Sequence, residues 1–256
     1  MLPILVPYHL DEHLPDLDRP IEPELTLSSE LPDDDVWARM AALYDEVAST
    51  VADTVRNETV PLVMSGDCTT SLATVTGLQR AGLDPSIVWF DAHGDLQTLE
   101  TTTSGYIGGF PLRMLVGYRP ELIGTRLGLS PITEERVVLA DARDLDPPER
   151  EYLQTAQIRH RTVEELASAE LPDGPIYLHI DVDVLDPADL PGLLYPTEGG
   201  PSVAAVSAAI AHVIGTGRVA AVGLGCTWYP HRGAAARLGW LVEVLGGLPH
   251  TSLGSG

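Results

Sequence analysis

Ile87-Val88-Trp89-Phe90 is an unbroken apolar run, set off by Asp84-Pro85 before it and by Asp91 after it. A strand with one wet face alternates apolar and polar residues. A run without alternation instead fits a strand covered on both faces, as in a parallel sheet. Comparable runs predict strands over residues 4–8, 60–64, 136–140, 176–180 and 219–224. Helical patterns fall between them. Residues 36–56 put Trp37, Met40, Leu43, Val47 and Val51 on one face, with Asp33 or Asp34 as the N-cap. Further helices are expected after Thr69 to about residue 81, near Leu112, from about Pro148, over 202–214 and over 234–245. Strand alternating with helix predicts an α/β chain with a parallel sheet and helices on both faces. The Pro-rich acidic stretch 11–31 and the Thr- and Gly-rich stretch 96–110 read as long loops, and 251–256 as a frayed tail. No composition break divides the chain, so residues 1–256 are expected to form a single domain.

The charge narrows the partners. Lys+Arg number 15 against 37 Asp+Glu, a formal net charge of −22, and every one of the basic residues is Arg. That balance argues against a nucleic-acid partner, which needs a basic surface, and favours attraction of cations. Two cysteines, Cys68 and Cys226, do not make a disulfide framework and suit a reducing compartment. The first residues lack a basic, signal-like start, and no apolar run reaches membrane-spanning length. The expectation is a cytoplasmic protein with no membrane partner.

Three of the expected strands end in possible metal ligands: Asp67 and Cys68; Asp91, His93 and Asp95; and Asp181, Asp183 and Asp186. One acidic strand end reads equally well as a solvated turn. Three of them on one edge of a parallel sheet would gather several negative charges at the place where such sheets build sites. A divalent cation accepting oxygen and nitrogen is the natural neutraliser. Asp181 and Asp183, two apart, share a face if the strand continues. His179 shares it too and reads as a core histidine hydrogen-bonded beneath the site.

These stretches resemble the motifs of the ureohydrolase (arginase/agmatinase) family. Asp91-Ala92-His93-Gly94-Asp95 matches D-A-H-x-D, Asp181-Val182-Asp183-Val184-Leu185-Asp186-Pro187 matches D-x-D-x-x-D-P, and Ser65-Gly66-Asp67-Cys68 is similar to G-G-D-H. The resemblance spans roughly residues 60–230. It implies a three-layer α/β/α fold with a central, mainly parallel sheet. It also implies two Mn2+ ions and a metal-bound hydroxide that attacks an amidine or guanidinium carbon. Carried over by position, Asp91 and Asp181 would bridge the metals, and His93 and Asp183 would complete one of them. Asp95 would bind the other and hydrogen-bond the hydroxide, with Cys68 standing where the family has histidine. Thiolate suits zinc or iron better than manganese, so the metal beside Cys68 is expected to be weakly held or of another kind; the competing reading is that Cys68 packs only as a small buried hydrophobe.

The substrate side departs further. Ser104-Gly105-Tyr106-Ile107-Gly108-Gly109 resembles S-G-N-x-H-G, which puts Gly108 at the family's proton-shuttle histidine and Ser104 among the substrate contacts. Thr227 falls where the family holds guanidinium with Glu. Glu198, on a neighbouring loop, is the candidate replacement and joins Asp95 as a catalytic candidate; a plain turn glutamate is the competing reading. Arg143-Asp144-Leu145-Asp146-Pro147-Pro148-Glu149 is similar to the arginase R-D-V-D-P-G-E segment, so Asp146 and Glu149 would meet a substrate ammonium group. The expected activity is hydrolysis of a C–N bond in a small amidine or guanidine, with Nω-hydroxy-arginine as a concrete case. The alternative is a non-catalytic metal-binding relative. The resemblance further implies a homo-oligomer, trimer or hexamer.

Overall fold

A computed structural model describes residues 1–248 of the chain; the tail expected to fray, 251–256, lies outside the described residues. The chain opens with β1 (Leu2–Val6), the short hairpin strands β2 (Tyr8–His9) and β3 (Glu12–His13), and β4 (Leu25–Thr26). Helix α1 (Val36–Arg56), β5 (Pro61–Ser65), α2 (Ser71–Arg80) and β6 (Ser86–His93) follow. After a long loop come α3 (Pro111–Leu115), α4 (Gly124–Leu127), β7 (Val137–Asp144), α5 (Pro147–Leu153), β8 (Arg159–Arg161) and α6 (Val163–Leu166). The chain continues through β9 (Ile176–Asp181), α7 (Val203–Gly215), β10 (Val219–Gly225) and α8 (Gly239–Leu245).

Eight strands form one sheet in the order β4-β1-β5-β10-β9-β6-β7-β8, and every neighbouring pair is parallel. The unbroken apolar runs have the cause their pattern predicts. Val88 and Phe90 pack into the cluster beneath α7 and α8, while Ile87 and Trp89 pack into the opposite cluster with α1 and α2. Helices therefore cover both faces, which is a three-layer α/β/α arrangement. Strands β5 and β6 are linked through α2 yet stand apart, with β10 and β9 between them. Their C-terminal ends thus flank a topological switch point, where open α/β sheets leave a crevice.

The expected strands and helices recur with local corrections. The N-cap of α1 is Asp35, whose carboxylate accepts from Ala38 N at 2.9 Å; Asp34 accepts from Asp35 N instead. The first strand stops before Pro7, and Tyr8–His9 turns into a hairpin with Glu12–His13, inside the stretch read as loop. The last helix is broken: a 3-10 turn at Ala235–Arg237 precedes α8. The pattern did not reveal β8 and α6, each too short to carry a period. Among the described residues no helix is long and apolar enough to cross a membrane.

Candidate functional site

The C-terminal ends of β5, β6, β7, β9 and β10 surround a cleft of about 220 Å³. Its wall includes Cys68, Asp91, His93, Asp95, Ser104, Asp146, Glu149, Asp181, Asp183 and Thr227, so ten of the eleven site residues expected from the sequence converge there. Glu198 is not among them. It is exposed, and the loop that carries it is turned away by two fastenings. Asp186 accepts from Gly199 N and Gly200 N at 2.9 and 3.2 Å, and Arg143 donates to the carbonyls of Thr197 and Glu198 at 2.6 and 3.3 Å. Asp186 is thereby a loop fastener.

Asp91, Asp95, Asp181 and Asp183 are all buried. Asp91 lies near the C-terminal end of β6 and accepts from Trp89 Nε1 at 3.2 Å. Just beyond it the β6–β7 register shifts, with Asp141 and Ala142 at positive φ, so that His93 stands opposite Asp144. This bulge aims His93 sideways. Its Nδ1 lies 3.3 Å from Asp91 Oδ1 and 3.1 Å from Asp183 Oδ2. Asp181 is held on both oxygens: Thr227 Oγ1 donates to Oδ1 at 2.6 Å and Cys68 Sγ to Oδ2 at 3.0 Å. Asp95 sits at φ +52°, and its Oδ2 is buried with no hydrogen-bond partner among the described residues.

The electrostatics follow from this crowding. Burial raises Asp95 well above the ordinary carboxyl range, and the charges of Asp91 and Asp181 add to the rise. Burial, then Asp183 and Asp91, does the same to Asp181. Burial and the Asp91 charge push Asp183 up to about 6. Burial would raise Asp91 too, but hydrogen bonding and charge from His93 outweigh it, so this carboxyl falls below its usual value. Burial opposes charge on His93, yet its bonds to Asp183 and Asp91 prevail and push it up to about 12. Burial, followed by the Asp181 charge, raises the Cys68 thiol. Carboxylates packed this densely repel one another, and one imidazolium does not neutralise four of them.

Among the described residues two groups of side chains have spacing suited to one cation each: Asp91, His93 and Asp183, and Cys68, Asp91 and His179. Within each group the ligand atoms lie within 4.8 Å of one another. The donor chemistry and the orphaned Asp95 oxygen both fit a divalent cation. His179 lies beneath the cleft as its sequence position suggested, its Nδ1 3.1 Å from both Ser71 Oγ and the Tyr177 hydroxyl, but its Nε2 is buried without a partner among the described residues.

The far wall holds residues that motif reading passed over. Gln97 Nε2 donates to Asp146 Oδ2, and Gln97 accepts from Thr101 Oγ1 at 2.9 Å. Glu149 accepts from Leu96 N and Asp146 N, each at 2.9 Å, tying the loop after Asp95 to the start of α5. Tyr106 folds its ring over Gly108, where an added Cβ would come within 2.1 Å of it. Its hydroxyl reaches His9 Nε2 at 3.0 Å, and His9 Nδ1 meets the Gly66 carbonyl at 3.0 Å. Tyr195 stands 5.6 Å from the Tyr106 ring and edge-on to His93 at 6.3 Å. The one sequence signal was the Tyr and the Gly falling two residues apart in the same loop.

Known proteins share this fold. In sequence the chain is similar to the arginase of Bacillus subtilis (strain 168), 34% identical over 170 residues, which is 61% of this chain and 57% of that protein. The arginase of Bacillus caldovelox is 32% identical over 176 residues, 63% of this chain and 58% of its own. The matched region thus spans a little over half the length of these relatives. In structure the chain superposes on the native Bacillus caldovelox arginase at pH 5.6 with a TM-score of 0.79, at 24% identity over 98% of both chains. It superposes on Entamoeba histolytica arginase in complex with L-ornithine with a TM-score of 0.76, at 20% identity over 96% of this chain and 98% of that one. The Arginase family profile matches residues 21–225, which takes in all the strand ends that build the cleft apart from Thr227, and on that match the chain belongs to the arginase family.

Proposed function

We propose that this chain is a metal-dependent hydrolase that cleaves a C–N bond in a small amidine or guanidine compound. The observation that carries the reading is the buried quartet Asp91, Asp95, Asp181 and Asp183 at one sheet edge, with an Asp95 oxygen unpaired among the described residues. Asp91, His93 and Asp183 would hold one ion of the manganese type, and Asp181 and Cys68 border the position of a second. Ions of this kind supply Lewis-acid polarisation and a lowered pKa for water at neutral pH. Asp95 Oδ2 is the free acceptor and would take the hydrogen bond of the attacking water, orienting its lone pair towards the substrate carbon. Glu149 fixes the loop on which Asp95 sits by holding Leu96 N. Asp146, steered by Gln97, would meet the positive end of the substrate, with Ser104 a polar contact beside it. Tyr106 and Tyr195 line the cleft with their rings 5.6 Å apart.

Thr227 spends its hydroxyl on Asp181, so no carboxylate stands there to pair with a guanidinium. A buried, unpaired cation is costly. The substrate that suits this wall is a guanidine less basic than arginine's, and Nω-hydroxy-arginine is the test compound. Purified protein loaded with manganese or zinc is expected to turn over Nω-hydroxy-arginine faster than arginine. Turnover should fall by at least about a hundredfold in Asp95→Asn, in line with the loss of a general base. Metal-loaded protein that turns over neither compound, nor a neutral formamidine, would overturn the hydrolase reading and favour a metal-binding relative without catalysis.

A further inference from the structure

We infer that Cys68, Asp91 and His179 form a second cation site on the floor of the cleft, one built for zinc, beside a manganese-type position at Asp91, His93 and Asp183. The inference rests on reading the cleft as a metal centre and adds which residues hold the second ion and which ion they select.

The ligand atoms of Cys68, Asp91 and His179 lie within 4.8 Å of one another, and all three residues are buried. That places one sulfur, one oxygen and one nitrogen within reach of a single ion. The His179 side chain, 2% exposed, has a ring nitrogen with nothing to bond. Its Nδ1 lies 3.1 Å from the Ser71 and Tyr177 hydroxyls, while Nε2 has no partner among the described residues. In the tautomer whose Nδ1 donates to one of these hydroxyls, Nε2 presents a bare lone pair, as a ligating histidine anchored by a neighbour does.

The ring is also locked in place. Trp89 stacks on it at 3.7 Å between centroids, 26° from parallel, and the same indole donates to Asp91 Oδ2 at 3.2 Å. One side chain therefore sets the orientation of two of the three ligands. Asp181 Oδ2 lies 3.0 Å from Cys68 Sγ, beside the trio. Gly225 allows that closeness, because a Cβ there would stand 3.2 Å from both Cys68 Sγ and Asp181 Oδ2.

Ligand chemistry decides the ion. Thiolate and imidazole with carboxylate is a tetrahedral zinc set, whereas two carboxylates and one imidazole with room for water suit manganese.

The test begins with chelator-stripped protein equilibrated with equal, excess manganese and zinc and then desalted for elemental analysis. The expected content is one zinc and one manganese per chain. Cobalt replacing zinc should give an intense near-ultraviolet thiolate-to-cobalt band, and zinc-edge absorption should show a sulfur scatterer at about 2.3 Å. The band should vanish in Cys68→Ser and survive in Cys226→Ser, which removes the other buried thiol. Zinc affinity should fall by more than about tenfold in His179→Gln, since even indirect partners of a metal are worth that much. Both spectra come from the unmodified protein, so they stand even where a variant folds poorly. Bound manganese with no sulfur signature overturns the zinc site and leaves the hydrolase reading intact. A chain that takes up no divalent ion overturns both.

Discussion

At the scale of single residues, the acidic quartet makes the metal-free protein unusual in its response to pH. Asp183 titrates at about 6 in the folded chain against an ordinary 3.8, so the folded state holds that proton more tightly and loses stability as pH rises from about 4 to 6. His93, at about 12 against 6.5, gives stability that is complete below pH 6.5 and declines above it. Both slopes run the same way. Calorimetry on chelator-treated protein is expected to give a lower Tm at pH 8 than at pH 5.5. Divalent cation should raise Tm more at pH 8, because cation and proton compete for the same atoms. A metal-free Tm that climbs between those pH values would contradict the crowding of charge described for this cleft. Tyr106 and Gly108 give a second test. A methyl at position 108 would meet the Tyr106 ring, so Gly108→Ala should expel the ring and break its bond to His9. The expected cost is about 1 kcal/mol, as for a mild overpacking that a side chain can relieve. It should largely disappear in a Tyr106→Ala background, read as a coupling in a double-mutant cycle on Tm or denaturant midpoint.

Among the elements, the sheet was the most legible part. Unbroken apolar runs follow from burial on both faces, a cause that acts on every residue of a strand and so leaves a strong trace. The acids at the strand ends were legible for the related reason that strands place residues at fixed intervals. Loops were another matter. Glu198 seemed close enough to replace a missing carboxylate, but Arg143 and Asp186 hold its loop outward through contacts 13 to 55 residues apart in sequence. No local pattern records contacts of that range. Tyr106 filling the space above Gly108 was hidden likewise, since a glycine in a motif reads as a loss and only packing shows it as an accommodation. Between elements, α1 and α2 cross at Gly77, where an added Cβ would lie 2.6 Å from Val51 Cβ and 2.7 Å from the Ala48 carbonyl. Alanine is the better helix former by roughly 1 kcal/mol. Gly77→Ala is nonetheless expected to destabilise by about 1–3 kcal/mol in chemical denaturation, because a backbone carbonyl cannot swing aside.

For the molecule as a whole, fold and family are shared with known arginases. A TM-score of 0.79 at 24% identity shows a fold kept through wide divergence in sequence. A net charge of −22 surrounds the cleft with a field that draws in cations, so cation affinity should weaken as salt is raised. We propose that this field and the buried quartet together hold divalent metal. Isothermal titration of manganese into chelator-stripped protein tests it most directly, alongside Asp91→Asn, which removes the carboxylate common to both ligand groups. Saturable binding in the parent, and its loss in Asp91→Asn, is the result this account predicts. No binding in the parent, or binding that Asp91→Asn leaves unchanged, would contradict it.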